Sequence, residues 1–401
     1  MASVHPAPPA VGLALLLLAA APLDARTVEL GFPDVKERVQ VSFPANHLPG
    51  KSYPAVFYYH GTNGKPTTEL IRAHTGPDDW FVVGMAYAQT GKFTFTPETL
   101  EAEALILRSV IRHLGAGHGL DPKRVYVAGF SKGGWISGLL MQRERTLAGA
   151  VILGAGHIHR VDQSPAKFKR PPAVFIGIGR RDGNYPFSLR AVSFYRGLGA
   201  ATTMETWHGL GHRFPPDGSP ALRQWLQARI RPAADLRTAA AAWAADRPRE
   251  LAAIADPVDR WVALLDAEQA PFFRYLDAAQ KAAFTSKREA LERTAAVKPE
   301  AAFLARHRKL LRSEIATHSK ENYESLLKAY LDLSTAAAGT RQGEIARHDH
   351  QRIERLLKHF DAQEELRKDD LQPFGPEPED DPFVPKSPVS PPRIPANPLV
   401  R

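Results

Sequence analysis

Two hydrophobic periodicities divide the chain. Up to about residue 235, short apolar runs alternate with longer stretches of helical spacing. The runs at 53–59 (YPAVFYY), 80–88, 124–130 (RVYVAGF), 147–153 and 173–179 (AVFIGIG) are apolar apart from the opening Arg124 and do not alternate with polar residues. That is the pattern of strands covered on both faces. A weaker strand candidate, rich in Thr, occupies 202–207. Between the runs, 97–114 and 133–145 carry helical spacing, and in the first Leu100, Ala104, Leu107, Ile111 and Leu114 fall on one face. Strands alternating with helices predict a parallel sheet with helices packed on both sides.

The second periodicity begins near residue 236. Across 236–370 Ala, Leu, Arg, Lys and Glu dominate and Gly nearly vanishes. Phe303, His307, Leu310 and Leu311, then Tyr323, Leu326, Leu327, Tyr330 and Leu331, recur at i, i+3, i+4 spacing. This predicts a helical region of about four or five helices, with Pro257, Pro271 and Pro299 at starts or kinks. The Arg/Glu mixture on these helices reads as solvated surface, and so does His348-Asp349-His350, whose two imidazoles at i, i+2 do not share a face. Residues 371–401 hold ten prolines in 31 positions, a composition expected to stay extended and disordered.

At the other end, residues 11–21 form an uncharged apolar run, too short to cross roughly 30 Å of hydrocarbon as a helix. It fits the apolar core of a secretory signal over 1–25, with Ala25 before the cleavage point and Arg26 opening a mature chain that is secreted or periplasmic. The expected organisation is therefore a signal at 1–25, an α/β domain at 26–235, a helical accessory region at 236–370 and a tail at 371–401.

Composition narrows the chemistry. There is no cysteine, which removes disulfides, Cys-ligated zinc and a thiol nucleophile. The net charge of +9 raises nucleic acid as a partner. The excess is diffuse, however: 26 Lys+Arg against 17 Asp+Glu lie scattered in 1–235 with no basic run. No nucleic-acid partner is expected.

The candidate chemistry gathers around one serine. Gly129-Phe130-Ser131-Lys132-Gly133 fits G-x-S-x-G, directly after an apolar run and directly before a helical stretch. The motif needs that strand–turn–helix context, because the sharp turn lifts the serine hydroxyl clear of the sheet at a helix N-terminus. A serine hydroxyl needs a base, and the base needs an orienting acid. In elbow enzymes the chain order is Ser, acid, His. Asp182 follows the run at 173–179, and His212 follows the run at 202–207 on a glycine-bearing loop. Asp162 and His208 are the weaker competitors. For the oxyanion, one donor is expected from the Lys132 amide. The other is expected from Thr62, with Gly61 as alternative, in the Gly-rich segment after 53–59.

These residues resemble the α/β-hydrolase superfamily. YPAVFYYHG is similar to its strand and His-Gly oxyanion loop. GFSKGG is similar to the elbow of the phospholipase/carboxylesterase and secreted polyester-depolymerase or feruloyl-esterase groups. IGIGRRDGNYP resembles the acid loop and GLGH the histidine loop. Over residues 26–235 the resemblance implies an eight-stranded, mostly parallel sheet and a serine hydrolase without cofactor or metal, with Ser131, Asp182 and His212 as triad. Lys132 departs from the pattern, since those groups usually carry Gln or Asn there. A cation at that place is expected to favour anionic substrates or to alter product release.

Other constellations carry less. His157 and His159 read as a loop beside the substrate rather than a metal pair, because only Asp162 lies near them in sequence. Trp80, Tyr87, Trp135 and Trp207 read as core or pocket wall. The function expected is cleavage of a small or polymeric carboxylic ester through an acyl-enzyme. Two other readings stay open: a peptidase of the prolyl-oligopeptidase type, and an envelope-associated binding or scaffold protein with a weak hydrolase domain, which meets a cell-envelope or protein partner through the helical region.

Overall fold

The computed structural model describes residues 27–32, 35–88, 96–157, 167–316 and 319–368. The apolar run at 11–21, His159, Asp162 and the proline-rich tail lie outside the described residues.

Eight strands form one sheet: β1 (Thr27–Phe32), β2 (Val35–Ser42), β3 (Tyr53–Tyr59), β4 (Phe81–Met85), β5 (Leu120–Phe130), β6 (Gly149–Leu153), β7 (Ala173–Gly179) and β8 (Ala201–Trp207). Their order across the sheet is β1-β2-β4-β3-β5-β6-β7-β8. β1 and β2 pair antiparallel, as do β2 and β4, and every later pair is parallel. The long apolar runs become the central strands, and every residue of β3, β4, β6 and β7 is buried. The two strands that the run pattern does not mark, β1 and β2, are the antiparallel ones at the edge, where one face is wet and the sequence alternates.

Successive side chains of a strand point to opposite faces, so each run feeds two cores. Ala55, Phe57, Tyr59, Val127, Ile152 and Ile176 pack on one face. Helices α2 (Pro97–His118), α3 (Lys132–Arg143) and α4 (Tyr185–Gly197) cover them. Val56, Tyr58, Ala128, Val151 and Phe175 pack on the other face, under α1 (Glu69–Thr75) and α5 (Pro220–Ile230). Trp80 and Trp207 are buried in this second core, while Trp135 and Tyr87 pack against the first. Local signals set the helix ends. Thr96 and Thr99 form a reciprocal capping box with Pro97 at the first turn of α2, and Gly119 ends that helix at φ 73°. Ser219 caps α5 by accepting from the Leu222 N–H at 2.9 Å.

Beyond α5 the described chain is helical: α6 (Ala233–Ala253), α7 (Pro257–Gln269), a 3-10 turn (Phe273–Tyr275), α8 (Ala278–Glu292), α9 (Val297–Ala316), α10 (Lys320–Ala336) and α11 (Arg341–Lys368). Six α-helices stand where about four or five were expected. One break, at residues 293–296 between α8 and α9, carries no Gly or Pro to announce it. Pro257 opens α7 and Pro299 sits in the first turn of α9, whereas Pro271 falls between elements. Tyr323, Leu326 and Tyr330 are buried as their spacing implies, but Leu331 is 49% exposed and Leu333 takes the inward position.

The charged residues of this region depart furthest from the sequence reading. Asp349, read as solvated surface, is 1% exposed. Glu314 and Arg352 are buried with it. Arg352 grips Glu314 with two parallel hydrogen bonds of 2.5 and 2.8 Å, and the Tyr330 hydroxyl donates to the same carboxylate at 3.1 Å. Spacing alone does not tell a wet stripe of charge from one facing a second charged element.

Candidate active site

The turn after β5 holds the nucleophile candidate. Ser131 has φ 55°, a left-handed value that costs a residue with a side chain, and it is the residue from which α3 starts. Its N–H donates to the Leu153 carbonyl at 2.8 Å, which ties the turn to β6. The elbow also demands close backbone approach. A Cβ on Gly133 would overlap the Tyr59 carbonyl oxygen, and one on Gly129 would overlap Gly133. Strand and helix can meet at this angle only without those side chains.

Asp182 and His212 arrive from the two loops beyond β7 and β8, and the loops are bonded to each other. The Arg180 N–H donates to the Trp207 carbonyl at 2.9 Å and the Arg181 N–H to the Leu210 carbonyl at 2.8 Å. Asp182 is buried, and its Oδ1 accepts the Asn184 N–H at 2.9 Å. Its Oδ2 lies 2.8 Å from His212 Nδ1. His212 Nε2 in turn lies 2.8 Å from Ser131 Oγ. A carboxylate only accepts, so Nδ1 carries the ring proton and Nε2 accepts from the serine hydroxyl. The Phe130 ring lies 5.2 Å from the imidazole, centroid to centroid.

All three sequence candidates are therefore in contact. The competitor His208 points elsewhere, to Asp266 on α7 at 2.9 Å. His157 is buried and stacks on Phe194 at 3.6 Å, so it is part of the packing and does not line a substrate loop. No group of three metal-ligating side chains occurs among the described residues.

These strand, elbow and loop positions decide the architecture. The fold is that of an α/β-hydrolase. The sequence matches no protein-family model and no curated protein. Solved structures similar to it include the carboxylesterase of Mesorhizobium loti, at 20% identity and TM-score 0.41, covering 50% of this chain and 98% of that one. The Bacillus cereus carboxylesterase is similar at 18% identity and TM-score 0.41, covering 48% and 95%. A phospholipase/carboxylesterase from Dyadobacter fermentans is similar at 18% identity and TM-score 0.35, covering 50% and 95%.

Of the segments expected to supply oxyanion donors to this α/β-hydrolase fold, Lys132 follows the serine directly and Gly61 lies beside it. Lys132 is the first residue of α3, at its N-terminal end. Gly61 packs beside the nucleophile, its Cβ direction ending 3.6 Å from Ser131 Cβ. Thr62 and Asn63 form the tip of a turn closed by the Gly64 N–H on the Gly61 carbonyl at 3.1 Å, and Asn63 has φ 60°. The Lys132 ammonium lies over the Tyr87 ring, 4.2 Å from its centroid. The Tyr87 hydroxyl donates to the His60 carbonyl. Below them Glu103 is fully buried. Burial pushes its carboxyl up to about 7, against the Ala88 N–H bond and the Lys132 charge.

Sequence reading missed a polar cluster behind the acid loop. Arg180, two residues before Asp182, donates to Asp349 Oδ2 at 2.8 Å and lies 3.1 Å from His307 Nε2. His307 Nε2 is 2.6 Å from the same carboxylate oxygen. Burial would raise the Asp349 carboxyl, but Arg180, Arg352 and the His307 bond outweigh it and hold it well below the usual carboxylate range. Burial also lowers His307, which stays neutral at neutral pH and donates to Asp349. Part of the signal was present, since His307 and Glu314 sit at i, i+7 on the buried stripe of α9, but nothing local marks their partners.

Proposed function

We propose that the chain is a serine hydrolase that cleaves carboxylic esters. The observation that carries this reading is the continuous pair of contacts, Ser131 Oγ to His212 Nε2 and His212 Nδ1 to Asp182 Oδ2, each 2.8 Å. His212 takes the hydroxyl proton as Ser131 attacks the ester carbonyl, and Asp182 stabilises the imidazolium that forms. The tetrahedral oxyanion is held by the Lys132 and Thr62 amides, and the dipole of α3, which starts at Lys132, favours negative charge there. His212 returns the proton to the leaving alcohol. Water, activated by the same imidazole, then releases the acid from the acyl-enzyme.

The proposal extends to an exported enzyme, on the strength of the apolar run at 11–21 alone. Among the described residues no helix is long and apolar enough to cross a membrane.

A fluorophosphonate probe tests the mechanism. It labels the wild type at Ser131, and Ser131→Ala loses both labelling and short-chain ester turnover. Turnover that survives in Ser131→Ala refutes the reading. A parallel panel of peptide amides separates the ester hydrolase from a prolyl-oligopeptidase-like peptidase.

A further inference from the structure

The loop that presents Asp182 to His212 also presents Arg180 to the helical region, in the opposite direction. Arg180 is buried, its guanidinium stacks 4.2 Å from the centroid of the Tyr185 ring, and it ends on Asp349 of α11 beside His307 of α9. The charges around it balance: Arg180 and Arg352 face Asp349 and Glu314 around a neutral His307. Burying such a group is costly unless it is fully paired, so the cluster tolerates little displacement of any member.

Only Arg181 separates this anchor from Asp182. That stretch of backbone is fixed at Arg180 N–H to Trp207, Arg181 N–H to Leu210, and Asp182 N–H to the Gly179 carbonyl at 3.1 Å. A shift of Arg180 therefore reaches Asp182 with little slack. The histidine loop has its own anchor on the helical region, His208 to Asp266 of α7, four residues before His212. Arg190 of α4 adds a bond of 3.2 Å to the Ile315 carbonyl at the end of α9.

We propose that the helical region is a strut for the catalytic loops. Through Asp349 it holds Arg180, and through Arg180 it holds Asp182 in hydrogen-bond register with His212. Arg180 and Asp349 are positioning residues that touch no substrate. The proposal gives α9 and α11 a role that the triad alone does not, and it rests on the reading of Ser131, His212 and Asp182 as catalytic.

The test uses the full chain and two readouts. One is the low-field proton NMR signal of the His212 Nδ1 proton shared with Asp182, which needs no substrate. The other is kcat and KM on a short-chain ester. In Asp349→Ala the low-field signal broadens or disappears, and kcat falls at least ~10-fold while KM stays within about twofold, the pattern of misplaced catalytic groups with intact binding. Asp349→Ala leaves a buried cation without its anion and endangers folding. The charge-neutral pair Arg180→Met with Asp349→Leu is therefore measured beside it, because replacing both partners of a buried pair by apolar groups is often tolerated. The same losses are expected there. A folded variant of either kind that keeps the wild-type signal and kcat overturns the strut. A wild type that resists the fluorophosphonate probe overturns the hydrolase reading instead, and the NMR comparison still decides whether Arg180 holds Asp182.

Discussion

Lys132 is the cation that favours ionisation of Glu103, a carboxyl with no exposed surface. Glu103 lies on α2 and accepts the Ala88 N–H through Oε1 at 2.8 Å. Its Oε2 is buried with no hydrogen-bond partner among the described residues, as is the hydroxyl of Tyr59. An unpaired carboxylate there is costly, so the proton is retained well above the usual carboxylate range.

The consequence is a pH-dependent loss of stability. Because the folded carboxyl titrates near 7 and the unfolded one near 4.5, the native state binds the extra proton in that window. The contribution is complete below about 4.5 and is lost as the pH rises to about 7. Glu103→Gln keeps the acceptor for Ala88 and removes the titration. Relative to wild type, the variant gains on the order of 3 kcal/mol between those limits. Denaturant unfolding at pH 4.5, 6 and 8 checks this. A constant difference between the two proteins across the series refutes it.

The Asp182–His212 contact leads to a second expectation. Asp182→Asn preserves the shape of the loop and the acceptor for the Asn184 N–H, but it removes the charge that fixes the imidazole tautomer. We expect kcat to fall by roughly 10³–10⁴, with KM little changed. Steady-state kinetics on a short-chain ester measures it, and a loss below about tenfold would mean that His212 is oriented by something else.

The central sheet was legible because strands buried on both faces leave apolar runs, and the candidate triad because Ser131 and Asp182 each follow such a run and His212 follows the weaker strand pattern of β8. The antiparallel strands β1 and β2 were less legible, since one-sided burial leaves only weak alternation. Arg180, Asp349, Arg352 and Glu314 were read wrongly or passed over for a different reason. Their burial depends on charges that meet across 38 to 169 positions of sequence, and no local pattern records such a pairing. Of the residues in this cluster, only His307 was placed on an inward stripe, because apolar neighbours share its spacing.

The elbow itself gives a third expectation. A methyl group on Gly133 meets the Tyr59 backbone, and a strand carbonyl cannot move aside as a flexible side chain can. Gly133→Ala is therefore expected to cost at least ~3 kcal/mol and to abolish labelling of Ser131 by the probe in whatever fraction folds. Thermal unfolding combined with probe labelling tests both effects. Full labelling of a stable Gly133→Ala protein would show that strand and helix are less tightly apposed than the geometry indicates.

The pair Arg352–Glu314 separates the cost of breaking a buried ion pair from the worth of having one. Glu314→Ala strands the Arg352 guanidinium beside Asp349 alone and leaves the Tyr330 hydroxyl without its acceptor. We expect a loss of about 3–5 kcal/mol. Replacing both partners, Glu314→Leu with Arg352→Met, removes the charges together and should recover most of that loss, because neither ion then has to be held away from water uncompensated. The double variant leaves Asp349 facing Arg180, so ester turnover should stay closer to wild type than in Asp349→Ala. Chemical denaturation of the single and double variants, read beside kcat, decides it. If the double variant is no more stable than Glu314→Ala, the ion pair contributes net stability here and its burial is not merely tolerated.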